Sequence, residues 1–242
     1  MRVSRLFVDS PLNVGGRIEL DTDTGHYVRN VLRLKAEQNL VLFNGRGGEY
    51  ACCLSEVSKK TVRIEITKHI DRDVESPLSV RLGMGISRGD RMDWSVQKAV
   101  ELGVSQITPL ITERCVIKFN EEKKLQRLGH WQNIAVHAAE QSGRTRLPSL
   151  TDISNLPEWL TQQQNLKVFL DPYADRTLAD LPPDTGQITL LTGPEGGFSD
   201  QERQFAKAQG FIAVRLGGRI LRTETAVITA LAAVQTLWGD FN

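Results

Sequence analysis

Two stretches decide the fold: Leu190-Leu-Thr-Gly193-Pro-Glu-Gly196-Gly197-Phe-Ser199 and Leu216-Gly217-Gly218-Arg-Ile-Leu-Arg222-Thr-Glu224-Thr-Ala226. Each leaves an apolar run of strand length and enters a helical pattern. The first follows Ile188–Leu191 and opens the helix Ser199–Gln209. Ser199-Asp-Gln-Glu202 there reads as a capping box, in which serine and glutamate each satisfy the other's free backbone N–H. The second follows the strand Phe211–Leu216 and opens the helix Thr223–Trp238, with Val227, Leu231, Val234 and Trp238 on one stripe. Strand, glycine turn and helix in succession is the unit of a parallel sheet covered by helices. Adjacent glycines let backbone approach a ligand closely, and such sheets bind ligands beyond the carboxyl ends of their strands. Two ordinary tight turns would read the same way, so spacing alone leaves the function open.

Moving toward the N-terminus, the alternation continues. The pattern predicts a strand at Leu166–Leu170, a short helix at Pro157–Gln164, and a long helix at Lys124–Gln141 with Leu125, Leu128, Trp131, Ile134, Ala135 and Ala138 on one face. It further predicts a strand at Ile107–Ile111, a helix at Asp90–Leu102 stopped by Gly103, and a strand at Leu78–Met84. The polar stretch Asp71-Arg-Asp-Val-Glu-Ser-Pro77 reads as a linker. Before it the rhythm changes to short strands, Arg5–Val8, Arg17–Leu20, Leu40–Phe43, Tyr50–Val57 and Thr61–His69, with one helical segment around His26–Leu34. Asn44-Gly45-Arg46-Gly47-Gly48 is a hairpin signal. Residues 1–72 are therefore expected to form a small barrel, and residues 73–242 an α/β domain.

Composition narrows the class. Hydrophobic residues make up 40% of the 242 and charged residues 24%, as in an ordinary globular chain. No apolar run reaches the ~18 residues of a membrane span, and no signal peptide is expected. Cys52, Cys53 and Cys115 form no CxxC pair and read as reduced thiols of a cytoplasmic protein. The four histidines are scattered, and no metal site or catalytic triad is expected from them. Net charge is +1, but residues 1–72 hold 12 Lys/Arg against 9 Asp/Glu, which permits a basic face there. Gly83-Met-Gly85-Ile-Ser-Arg-Gly89 imitates a dinucleotide fingerprint, yet its third glycine falls on the seventh position rather than the sixth. No Gly-Lys-Ser/Thr occurs, so a phosphate loop is absent.

The two opening stretches, in their order and spacing, closely resemble the ribosomal RNA small-subunit methyltransferase E family of the SPOUT superfamily. Gln97-Lys-Ala-Val-Glu-Leu-Gly103, Thr112-Glu-Arg-Cys115, Ala138-Ala-Glu-Gln-Ser-Gly-Arg144 and His26-Tyr-Val-Arg-Asn-Val-Leu-Arg33 extend the resemblance over nearly the whole chain. The resemblance implies an α/β fold, a C-terminal SPOUT domain with a deep trefoil knot and parallel sheet, preceded by a PUA-like RNA-binding β-barrel. It implies a cytoplasmic homodimer that transfers a methyl group from S-adenosylmethionine to N3 of one uridine in 16S rRNA of the small ribosomal subunit. Periodicity alone would give an ordinary doubly wound sheet, since connections rarely thread loops.

These implications place the chemistry on named residues. Leu216, Ile220, Leu221 and Ala226 would form an apolar slot for adenine, with Leu170 at the same sheet edge. Backbone beside Gly193, Gly197, Gly217 and Leu221 would supply hydrogen bonds, and Thr192, Glu195, Gly196, Arg222 and Thr225 complete the expected cofactor set. Glu224 is a candidate base for the N3 proton, or else a carboxylate serving the start of its helix. Arg222, Arg144 and Arg114 are candidates to stabilise negative charge on the uracil oxygens. RNA contacts are expected from Arg2, Arg5, Arg29, Arg33 and Lys35, with Arg29 and Arg33 one helical turn apart. Two other readings stand beside this one: a SPOUT enzyme acting on another RNA such as tRNA, and a ribosome-assembly factor that binds RNA without turnover.

Overall fold

The structure, a computed structural model, describes residues 3–115, 120–182 and 186–241. It divides into two units. One comprises the residues up to Glu75 together with Ala139–Leu147, and the other Ser76–Ala138 with the residues from Pro148 onward. A single cut after residue 72 therefore misses a return of the chain. Within the first unit the Arg144 guanidinium pairs with Glu75, the Phe7 N–H donates to Glu140 Oε1 at 2.9 Å, and Arg72 Nη1 donates to the Gly143 carbonyl at 2.9 Å. Pairings this distant in sequence leave no local pattern.

The first unit contains β1 (Ser4–Phe7), β2 (Arg17–Glu19), α1 (Thr22–His26), β3 (Asn39–Phe43), β4 (Glu49–Val57) and β5 (Val62–Ile70). The five strands form one sheet in the order β1-β3-β4-β5-β2, with β1 parallel to β3 and the other pairs antiparallel. Alternation in β5 sends Val62, Ile64 and Ile66 into the core and leaves Arg63 and Thr67 exposed. The helical segment starts earlier than expected. Asp21 caps it, accepting from the Thr24 N–H at 2.8 Å, and the Thr24 hydroxyl holds the Asp21 carboxyl below its usual range together with that N–H. A π-helical turn over Tyr27–Val31 follows, closed by the Leu32 N–H on the Tyr27 carbonyl. Arg33 lies beyond it at φ +53°. Arg29 and Arg33 are thus not successive turns of one α-helix face.

The second unit runs β6 (Ser79–Gly85), α2 (Asp90–Glu101), β7 (Gln106–Ile111), α3 (Glu121–Ser142, whose last residues count with the first unit), β8 (Ser149–Leu150), β9 (Ser154–Asn155), α4 (Leu156–Thr161), β10 (Leu166–Leu170), β11 (Gln187–Thr192), α5 (Asp200–Ala208), β12 (Ile212–Val214) and α6 (Thr223–Trp238). Every strand pair is parallel, in the order β12-β10-β11-β6-β7-β8, and β9 also pairs with β7. Leu110, Phe169 and Leu191 pack beneath Leu156, Trp159 and Leu160 of α4 and Ala206 of α5. The glycines that imitated a fingerprint have packing roles. A Cβ on Gly83 would stand 2.4 Å from the Trp159 ring, and one on Gly85 would stand 2.5 Å from Pro194.

One expectation about a helix face changes. Leu125, expected on the inner face of α3, is exposed, whereas Trp131, Ala135 and Ala138 are buried. The Trp131 indole N–H donates to Asp93 at 3.1 Å, which sets the helix phase. Of the stripe on α6, Val227, Leu231 and Val234 are buried and Trp238 is half-buried, and α6 packs on α2.

Candidate active site

Because β12, β10 and β11 are neighbours and parallel, the turns that follow them meet at one edge of the sheet. A cavity of about 710 Å³ opens there. Its walls are the turn Gly193–Phe198 after β11, residues 171–173 after β10, and Leu216 and Arg219–Glu224 after β12. The first turn is shaped by Gly197 at φ +64°, where no protein atom lies within 4 Å of a would-be Cβ. Its exit is locked by the expected capping box: the Glu202 N–H donates to Ser199 Oγ at 3.2 Å, and the Ser199 N–H donates to Glu202 Oε2 at 2.8 Å.

The cavity brings together Leu170, Thr192, Gly193, Glu195, Gly196, Gly197, Leu216, Ile220, Leu221, Arg222 and Ala226, along with Arg114 and Glu224. Gly217 and Thr225 do not line it. Gly217 sits in the β12–α6 turn at φ +73°, and Thr225 is exposed in the first turn of α6. Arg144 does not line it either. Its side chain is buried in the first unit against Glu75, and this ion pair is its structural role. Arg91, Asp171, Tyr173, Arg203 and Arg219 also line the cavity and were not anticipated. Asp171-Pro172 follows an apolar strand just as Gly193-Pro194 does, which is the signal that would have found Asp171.

Five arginines and four carboxylates face this space. Arg91 binds Glu195 at 3.1 Å, Arg114 Nη1 donates to the Gly196 carbonyl at 2.8 Å, and Arg203 lies 3.8 Å from Asp171 and 5.3 Å over the Tyr173 ring. Partial burial raises the Glu195 carboxyl, but the Arg88 N–H and the Arg91 guanidinium outweigh it and hold that carboxyl below its usual value. Among the described residues, Arg219 and Arg222 have no side-chain partner. Two oxygens of the lining residues, Thr192 Oγ1 and Glu224 Oε2, are buried without a hydrogen-bond partner among the described residues. Such atoms are costly unless a ligand supplies the missing hydrogen bond. Backbone glycine turns, an apolar wall and unsatisfied polar atoms define a site for a mixed apolar and polar small molecule. Among the described residues no group of three or more His, Cys, Asp or Glu is placed to hold a metal, and no helix is long and apolar enough to cross a membrane.

The expected RNA contacts fare unevenly. Arg2 lies outside the described residues. Arg5 is half-buried: it pairs with Glu49, donates to the Arg144 carbonyl at 3.0 Å and covers the Phe43 ring at 5.1 Å, so its guanidinium is already engaged. Arg29 is half-buried, and Arg33 and Lys35 are exposed.

Residues 74–235 match the family model of the RNA methyltransferase domain, and residues 20–67 that of the RNA methyltransferase PUA domain. With the parallel sheet and its edge cavity, these matches define the class: the chain is an RNA methyltransferase with an N-terminal PUA domain. A ribosomal RNA small subunit methyltransferase E of Buchnera aphidicola is 36% identical over 247 residues, covering 100% of this chain and 99% of the relative. The chain belongs to the ribosomal RNA small subunit methyltransferase E family. The Neisseria gonorrhoeae member, solved bound to S-adenosylmethionine, superposes with a TM-score of 0.94 at 40% identity over 100% of both chains. A Legionella pneumophila protein solved in complex with the bound cofactor S-adenosylmethionine gives 0.97 at 39% identity, again over 100% of both.

Proposed function

We propose that this chain transfers the methyl group of S-adenosylmethionine to N3 of one uridine in 16S rRNA of the small ribosomal subunit. The observation that carries this reading is the cavity at the edge of β12, β10 and β11, walled by two glycine turns and holding the unpartnered Thr192 Oγ1 and Glu224 Oε2. The Neisseria and Legionella structures, both solved with S-adenosylmethionine bound, support the choice of cofactor. The residues present fit it. Its adenine and ribose ask for backbone hydrogen bonds beside apolar side chains, and it carries no phosphate to neutralise. Leu170, Leu216, Ile220, Leu221 and Ala226 would hold the adenine. Thr192, Gly193, Glu195, Gly196, Gly197 and Arg222 would contribute polar groups and backbone. When bound, the cofactor supplies an electrophilic methyl group.

The chain's own work is at the uridine. N3 carries a proton at neutral pH, and Glu224 Oε2 accepts it as a general base, a contribution of ~10²–10⁴-fold. Arg222 and Arg114 stabilise the charge that spreads onto the uracil oxygens. Holding N3 in line for transfer contributes ~7–11 kcal/mol. In the same reading the cofactor turns belong to a SPOUT trefoil knot, the N-terminal sheet closes as a PUA-like barrel that presents Arg29, Arg33 and Lys35 to RNA, and the enzyme acts as a cytoplasmic homodimer. Calorimetry tests the cofactor assignment. The native chain binds S-adenosylmethionine, and Gly197→Val, which forces a β-branched residue to φ +64° and fills the open side of the turn, loses that binding. Unchanged affinity in the variant overturns the assignment.

A further inference from the structure

A second cavity, of about 800 Å³, lies between α4 and α5 and is separate in character from the first. Its walls include Leu156 and Leu160 of α4 and Phe205 of α5, and Phe205 is 37% exposed. Its rim carries Glu113 and Glu158, both exposed and neither in an ion pair among the described residues. No lysine or arginine lines it among those residues. Glu202 adds a carboxylate at one end, already occupied by the N–H groups of Ser199 and Glu113. Inside stands Thr112, only 6% exposed, whose Oγ1 has no hydrogen-bond partner among the described residues.

We infer that this groove docks a basic protein segment, one that seats an apolar side chain between Leu160 and Phe205 and sets lysine or arginine against Glu113 and Glu158. Charge selects the occupant. A carboxylate rim repels nucleic acid, whose phosphates need Lys or Arg, and attracts a cationic chain. The apolar walls give such a chain a place to bury the anchor that dominates binding at a groove between helices. Backbone of an incoming segment, unlike a lone cation, offers the Thr112 hydroxyl both a donor and an acceptor. The inference is independent of the chemistry assigned to the first cavity, and nothing in it requires that assignment to hold.

The test uses the full-length chain and a fluorescein-labelled amphipathic peptide of leucine and lysine, read by anisotropy, with the leucine–glutamate counterpart as control. Saturable binding of the cationic peptide and none of the acidic one is expected. Phe205→Ala is expected to weaken the cationic peptide about tenfold, the size of a lost aromatic anchor. Glu113→Gln with Glu158→Gln is expected to weaken it and to flatten its salt dependence, while a 16S rRNA fragment neither competes with the peptide nor changes its own affinity. Equal peptide affinity in native chain and variants overturns the inference, as does equal binding of the acidic peptide or displacement by the RNA fragment. Light scattering in which Phe205→Ala breaks a self-associated species also overturns it, because the occupant is then a second copy. Since Phe205 is partly exposed and both glutamates are at the surface, the variants are expected to unfold at the native temperature, which circular dichroism checks.

Discussion

At the scale of the residue, Glu224 combines two demands. A carboxylate in the first turn of α6 suits the helix dipole, yet its Oε2 is buried without a partner among the described residues, which a purely helical role does not require. As the proposed base it makes a sharp prediction. Glu224→Gln leaves RNA binding intact and slows single-turnover methylation by ~10²-fold or more, and the rate recovers as pH rises because N3 then loses its proton unaided. A rate unaffected at every pH reduces Glu224 to a helix-start charge and leaves the chemistry to Arg222 and Arg114. Glu224, Arg222 and most of the cavity wall were legible because they adjoin the two glycine turns in sequence. Arg91 and Tyr173 were not, since the strand order β12-β10-β11-β6 is what brings the segments after β6 and β10 there, whereas Arg219 stands inside the second turn and was missed despite it. Arg5 and Arg144 read as available cations, but each is paired with a carboxylate dozens of residues away.

At the scale of the element, α5 was fully legible, because Ser199 and Glu202 spell out the bonds that start it. Ser199→Ala removes the acceptor for the Glu202 N–H and is expected to destabilise the chain by about 1 kcal/mol. Urea denaturation checks this as a lowered midpoint with an unchanged slope. A slope change instead signals loss of two-state unfolding rather than of a cap. Other elements were hidden by physics that local pattern does not carry. Asp21 starts α1 ahead of its apolar residues, and the π-turn after it shifts the phase of Arg29 and Arg33. The strands β8 and β9 are two residues each, too short for any period to show. Gly83 and Gly85 imitate a fingerprint whose spacing fails, and only the Trp159 ring and Pro194 against them reveal why side chains are absent there.

At the scale of the whole molecule, the positive excess of residues 1–72 and the cofactor turns of the C-terminal unit imply a division of labour. Replacing Arg29 and Arg33 by Ala is expected to weaken RNA binding and to flatten its dependence on log salt by ~0.7 per lost contact, with affinity for S-adenosylmethionine unchanged. Binding measured across a salt series decides it. An unaltered slope moves the contacts to the loop at Arg46, whose carbonyl accepts from Arg146 Nη1 at 3.4 Å within the same unit. The two-part organisation was legible in the change from short strands to strand–helix alternation. The return of residues 139–147 was not, because ion pairs and backbone contacts hold it rather than any periodic pattern. Of the α6 stripe, Val227, Leu231 and Val234 serve the core of their own unit and Trp238 is half-buried.

The central claim is methyl transfer to uridine N3 in 16S rRNA from a cofactor held at the two glycine turns. Its most direct measurement incubates the purified chain and isotopically labelled S-adenosylmethionine with small subunits or 16S rRNA that lack the modification, then maps the label by mass spectrometry of nuclease fragments. The account predicts one labelled uridine, methylated at N3, and no label with the Gly197→Val chain. Label in transfer RNA, label at another atom, or no transfer by the native chain would contradict it.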